Sequence, residues 1–305
     1  MDNKELTWRN FLAPKYWPVW LMIGLLRITA LLPFSAGITL GRCMGNLLYR
    51  VLPKRRHITE VNIRLCFKEL DKRQQQQMVR EVFQNNGIGL IEMAWAYWGS
   101  KAFFRSITAL KGADILDEAL SQNNGVILMG GHYSHIDLCG LLFSFYGRPV
   151  STLYRKHNNP LLEMFFFNGR QRFSEPLERS KTRLMLRHMR KNNCIWYAPD
   201  QDITSKDKVF VPFFGQTAAT ITATTKIARL NGSPLLLLSC LRNPDDKGYT
   251  LEVSRVENFP SGDETEDARL INEALESSIR KAPSQYMWVH KRFKTQPDGK
   301  SKLYK

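Results

Sequence analysis

The hydrophobic positions along this chain change their rhythm twice. From Trp17 to Leu40 they follow one another almost without a break, with Arg27 as the single charge and Pro33 inside the run. About 20 apolar residues suffice to cross a hydrocarbon core of about 30 Å. Against a crossing, Arg27 would cost about 2.5–3.5 kcal/mol near the centre of such a helix, and Pro33 would kink or break it. Three readings stay open: one transmembrane helix, an amphipathic or re-entrant helix embedded in the membrane, or a helix of a soluble core. Beyond this run, Asp71 and Gln74 have capping-box spacing, and Met78, Val79, Val82 and Phe83 recur on one face, which predicts a helix. The mostly apolar stretch Leu90–Trp98 continues as helix.

From about residue 110, short apolar runs alternate with helical patterns. Strands are predicted at Val126–Met129, Val150–Tyr154, Cys194–Ala198, Leu235–Ser239 and Tyr249–Val256. Helices are predicted over Ala113–Ser121, from Ser134 onward, and at about 160–169, 182–191 and 217–230, the last closed by Gly232. A final helix starts at the Ser261/Glu264 capping pair, carries Ile271, Leu275 and Ile279, and stops before Pro283. Such alternation predicts an α/β fold, a mostly parallel central sheet flanked by helices, preceded by an N-terminal membrane-associated helical segment. The expected organisation is an anchoring segment over residues 1–50 and a single α/β domain over 51–305, because no Gly-, Ser- or Pro-rich linker divides the latter.

Composition narrows the class of partner. With 43% hydrophobic and 24% charged residues in a chain of 305, disorder is excluded. The 44 basic against 28 acidic residues leave a net charge of +16, a field that attracts polyanions. Aromatics (Trp8, Tyr16, Trp17, Trp20) bracket the start of the apolar run, and Lys4, Arg9 and Lys15 precede it. The heavier basic cluster, Arg42, Arg50, Lys54, Arg55 and Arg56, follows it, so the positive-inside rule leaves residues 41–305 in the cytoplasm. A cleaved signal peptide is not expected, since the basic lead is long and Arg27 interrupts the apolar stretch. The five cysteines are scattered without C-x-x-C spacing, which fits buried thiols in a reducing compartment rather than a disulfide framework or zinc ribbon.

Three polar clusters follow three of the predicted strands, where ligands of such a sheet collect. The first is Gly130-Gly131-His132, with Asp137 five residues after the histidine. An imidazole at a strand-to-helix turn can take a proton from a hydroxyl while a carboxylate orients the ring. With six histidines and 28 acids in the chain, one such match is common by chance. The bland alternative is a packed His132 and an Asp137 that merely favours the helix dipole. His135 has no acid at the same spacing and reads as a neighbour. The second cluster is Tyr154-Arg155 with Asn159-Pro160, where Arg155 either grips a phosphate or carboxylate or lies solvated. The third is Asp200-Gln201-Asp202, able to bind sugar hydroxyls or an arginine; a metal is the weaker reading, with no further oxygen ligands in view. P-loop, zinc-protease, nucleophile-elbow and dinucleotide-glycine motifs are absent. The basic stretch Arg179–Lys191 suits headgroups or an acidic protein better than nucleic acid, for which no signature is present.

Taken in order, the three clusters together with Phe210–Phe214, Pro14–Trp20, Asn62–Phe67 and Gln285–Thr295 resemble the late acyltransferases of lipid A biosynthesis, most of all the lauroyltransferase branch. The resemblance covers almost the whole chain. It implies an inner-membrane enzyme that transfers a fatty acyl group from acyl carrier protein to a Kdo-bearing lipid IVA precursor. No cofactor is expected, since a thioester donor is already activated, and no nucleic acid partner. By position, His132 would be the general base and Asp137 its orienting acid, with Arg155 and Asp200 on the acceptor. The chain departs from the branch in having Asp137 where Glu is common, Tyr133-Ser134-His135-Ile136 between the pair, and Gln201 where His is common. Glycerophospholipid acyl transfer, or lipid binding without catalysis, are the competing functions.

Overall fold

In the computed structural model, residues 7–202, 207–300, 303 and 304 are described. Helices α1 (Trp17–Thr29), α2 (Phe34–Val51), α3 (Pro53–Cys66), α4 (Lys72–Trp98) and α5 (Lys101–Ser106) lead into the sheet. There follow β1 (Thr108–Lys111), α6 (Ala113–Ser121), β2 (Val126–Met129), α7 (Ile136–Phe143), β3 (Val150–Tyr154), α8 (Pro160–Arg170), β4 (Glu175–Glu178), α9 (Thr182–Arg190) and β5 (Cys194–Tyr197). The chain continues through β6 (Lys208–Phe213), β7 (Gln216–Ile221), α10 (Ala223–Asn231), β8 (Leu235–Arg242), β9 (Tyr249–Arg255) and α11 (Glu264–Lys281).

The main sheet has the order β1-β9-β8-β2-β5-β3-β4. Strands β8, β2, β5, β3 and β4 run parallel, whereas β9 pairs antiparallel to β8 and carries β1 with it. The expected α/β fold with a mostly parallel, helix-flanked sheet is therefore present. Every residue of β2 is buried. Its period of two sends Val126 and Leu128 into one core with Trp95, Leu138 and Leu142, and Ile127 and Met129 into another with Leu237, Ile271 and Tyr286. The apolar run was readable as a strand because helices cover both faces.

Three elements differ from the sequence-based expectation. The stretch taken as a helix over 217–230 starts with a strand: β6 and β7 form a hairpin, and the helix begins only at Ala223. Its two-residue turn has Phe214 at φ 50° and Gly215 at φ 67°, the left-handed pair that matches strand twist. Strand β4 escaped notice because it is short, lies at the sheet edge and carries Glu-Pro at its start. The third difference lies in residues 17–40. Pro33 stands at the N-cap of α2 and splits the apolar run into two helices. The 13 residues of α1 reach about 20 Å at 1.5 Å per residue, short of the hydrocarbon core. Among the described residues no helix is long and apolar enough to cross a membrane, so the transmembrane helix is not formed.

Helix α2 instead lies along α4 at backbone contact. A Cβ on Gly41 would sit 2.5 Å from Ile88 Cα, and one on Gly87 would sit 2.2 Å from the Gly41 carbonyl oxygen. Only glycine fits there. Outward from this packing, Trp17, Leu21, Leu25, Ile28 and Leu31 stay exposed.

Candidate active site

The site grows out of strand register. In the parallel pair β2–β5, Met129 lies opposite Tyr197. His132 and Asp200 each lie three residues beyond those partners, so the two loops leave the sheet side by side. Asp200 Oδ1 is 2.5 Å from His132 Nδ1, and Asp200 Oδ2 accepts the His132 backbone N–H at 2.8 Å. The loop's position is further set by α4, where a Cβ on Gly89 would meet the Ser134 carbonyl oxygen at 2.2 Å.

The electrostatics follow from burial and contact. Asp200 is wholly buried, which by itself would raise its pKa. The charge of His132 and its two hydrogen bonds, with a contribution from His290, outweigh that and hold the carboxyl well below the usual carboxylate range. An ionised Asp200 at Nδ1 favours the tautomer with the proton there, so that the ring, when uncharged, presents the Nε2 lone pair. The His132 side chain is 25% exposed while Asp200 is 0%, so the ring can be reached and the carboxylate behind it cannot.

A second layer comes from the segment after α11. Tyr286 Oη donates to Asp200 Oδ2 at 2.6 Å. The Met287 N–H donates to the His132 carbonyl at 2.9 Å, and Ser134 N–H to the Gln285 carbonyl at 2.9 Å. His290 stands with its ring centroid 6.1 Å from that of His132; burial pushes its pKa down to about 4, against the opposing pull of Asp200. Buried Arg292 ties this segment to the β6–β7 hairpin through the Ala219 carbonyl at 2.7 Å and Thr220 Oγ1 at 3.1 Å.

The other expected residues are placed differently. Asp137, in the first turn of α7, does not bond His132; its Oδ1 accepts from Arg170 Nε at 2.7 Å. Expected as the orienting acid, it is turned by α7 toward α8, and the carboxylate that contacts the His132 ring is that of Asp200. Asp202 accepts the backbone N–H and hydroxyl of Thr295 at 2.7 and 3.0 Å, which spends it on the chain rather than on a cation. Arg155 is exposed beyond β3, with no hydrogen bond or ion pair among the described residues. His135 is buried and bonds the Cys240 carbonyl at 2.9 Å, a structural neighbour as its spacing indicated. Arg170, Tyr286 and His290 were not singled out as site residues. Tyr286 and His290 lay within the Gln285–Thr295 stretch that carried the resemblance, but Arg170 gave no signal.

Beside the Asp137–Arg170 pair, a pocket of about 230 Å³ opens between α1, α4 and α8, lined by Trp20, Ile23, Trp98, Met164 and Phe165. A reachable imidazole with a buried carboxylate behind it can take a proton from a hydroxyl, and the mostly apolar pocket can take a lipid chain.

Comparison with known proteins adds the chemistry. The family model described as bacterial lipid A biosynthesis acyltransferase matches residues 7–295. The lipid A biosynthesis lauroyltransferase of Escherichia coli (strain K12) is 36% identical over 298 residues, 96% of each chain. The palmitoleoyltransferase of the same organism is 34% identical over 299 residues, 97% of each. Its myristoyltransferase is 23% identical over 300 residues, 97% of this chain and 93% of the relative.

Proposed function

Because the chain belongs to the bacterial lipid A biosynthesis acyltransferase family, we propose that it transfers a fatty acyl group from an acyl carrier protein thioester to a hydroxyl of a Kdo-bearing lipid IVA precursor. Acyl transfer in lipid A biosynthesis is the activity of the family; donor and acceptor are our reading. It is supported by the +16 charge, which suits an acidic donor protein and a phosphorylated acceptor, and by the exposed Arg155 just after β3, without an ion pair among the described residues.

The observation that carries the mechanism is the His132–Asp200 contact. His132 Nε2 takes the proton of the acceptor hydroxyl as its oxygen attacks the thioester carbonyl. The tetrahedral adduct then expels the thiolate, and the imidazolium returns the proton to sulfur. Asp200 keeps the ring oriented and stabilises its cation between the two steps. Asp137 fixes Arg170 beside the apolar pocket, which has the lining an acyl chain requires. Arg155 grips an anionic group of the acceptor in two-point fashion.

We place the protein at the cytoplasmic side of the inner membrane, with residues 1–50 as the anchoring segment and 51–305 as the catalytic unit. The exposed row on α1 and the exposed basic residues Arg50, Lys54 and Arg55 support insertion into one leaflet beside anionic headgroups. High-salt washing should then leave the protein with the membranes and detergent should release it; release by salt alone would refute insertion.

Mass spectrometry of lipid A from a strain lacking the gene tests the activity. One secondary acyl chain should disappear, and return with the wild-type gene but not with His132→Ala. Intact lipid A with altered glycerophospholipids would overturn the reading.

A further inference from the structure

Among the described residues, Asp200 accepts three hydrogen bonds. Two come from His132 and are part of the proposed mechanism; the third, from Tyr286 Oη, has no role in it so far. That hydroxyl is not there by accident of a loose side chain. Tyr286 is 1% exposed. Its ring meets Tyr133 edge-on at 6.0 Å and Trp288 at 4.8 Å. Its backbone pairs with Tyr133 as an isolated antiparallel bridge. On one side of it, Gln285 clasps both polar groups of the Arg242 backbone, accepting its N–H at 2.9 Å and donating to its carbonyl at 2.8 Å. On the other side, the Met287 N–H holds the His132 carbonyl. The phenol is thus fixed in relation to both members of the pair it touches.

We propose that Tyr286 is a positioning residue that acts on His132 through Asp200: its O–H locks Oδ2 in place and draws off part of the negative charge that Asp200 presents to the imidazole. The proposal rests on reading His132 as the base. A donor bonded to a carboxylate favours its anion and weakens its hold on any other proton. Loss of the donor makes Asp200 grip the imidazolium proton more firmly, and the base is then disabled at a higher pH. The other charged or titratable groups around the pair are His290, Arg292, Asp202, Tyr133, whose hydroxyl pairs with Ser278, and, through the Val289 carbonyl, Arg55. Among the described residues none of them donates a hydrogen bond to Asp200. Among the described residues, Tyr286 is the one side chain besides His132 that does.

The test is the pH dependence of kcat/KM in purified full-length protein, with acyl-charged carrier protein and Kdo-bearing lipid IVA. Tyr286→Phe should move the acid limb up by about half to one pH unit, the scale of one hydrogen bond. Replacing Tyr286 by 3-fluorotyrosine, nearly isosteric and a stronger donor, should move the same limb down. The fluorinated protein also keeps the test alive if Tyr286→Phe fails to fold. A residue needed only for packing would change melting temperature and kcat but leave the limb where it is. An unmoved limb, or a shift of either variant in the other direction, overturns the proposal. His132→Ala, assayed alongside, separates the two ideas. If it stays active, the base assignment fails; if it is dead while the limb ignores Tyr286, only the role of Tyr286 fails.

Discussion

Two carboxylates flank the His132 loop, and they are spent in different ways. Asp200 lies 68 residues away in sequence yet bonds the ring directly; Asp137 is five residues away and bonds Arg170 instead. Sheet register accounts for the first, since β2 and β5 are neighbours whose loops emerge together. Helix direction accounts for the second: α7 starts at Ile136 and carries Asp137 round toward α8. One acid is thereby coupled to the proton and the other to the architecture beside the apolar pocket. Nearness along the chain is a poor guide to which carboxylate bonds a buried loop's imidazole.

The contrast is broken most directly at the base. His132→Ala should lose about 10²–10⁴-fold in kcat, the usual worth of a general base. Asp200→Asn should fall in the same range, and the double variant should be little worse than His132→Ala alone, because an orienting group with nothing to orient has no further effect. Multiplicative losses in the double variant would uncouple the two residues.

Asp137→Asn should separate the two acids by what it damages. It leaves the guanidinium of Arg170, itself largely buried, without its counter-charge. The cost should appear as about 1–3 kcal/mol of stability, read by chemical denaturation. Its effect on kcat should be smaller than that of Asp200→Asn. A larger catalytic loss at Asp137 with unchanged stability would return the orienting role to it.

Arg155→Lys keeps the charge and loses the planar fork. Acceptor KM should rise by roughly tenfold or less, about the worth of one hydrogen bond in a charged pair, with kcat near wild type. Identical kinetics would leave Arg155 as a solvated surface residue.

A separate effect is on pH stability. His290 has a folded-state pKa pushed from 6.5 to about 4, so below pH 6.5 the unfolded chain takes up a proton that the folded one refuses. Stability should therefore fall as pH drops from about 6.5 toward 4. His290→Gln should flatten that slope in melting temperature. The lowered pKa of Asp200 acts in a lower window: its contribution is present above the unfolded value near 3.9 and disappears only as the pH falls well below it.

Much of this arrangement could be read from the chain, and the limits have physical causes. Strands β2, β3, β5, β8 and β9 were legible because burial on both faces or a clear alternation wrote them as apolar runs. The β6–β7 hairpin was misread because its Thr- and Ala-rich half suits either state, and the positive-φ turn at Phe214-Gly215 was the better signal. His132 and Asp200 were both picked out, but their contact depends on which strands lie side by side, and strand order is not written in local pattern. Arg170 meets Asp137 only through the packing of α8, which no spacing rule foretells.

The bridge between the segment at Tyr286 and the loop at His132 also bears on how the protein comes into being. Tyr286 lies 86 residues after Asp200. At about 5–20 residues per second, synthesis takes roughly 4–17 s to cover that interval. During it, the emerging polypeptide already has its N-terminal helices and both His132 and Asp200, but not the clasp that secures them. Competence would arrive only once the Tyr286 segment has been made, many seconds after the exposed row on α1.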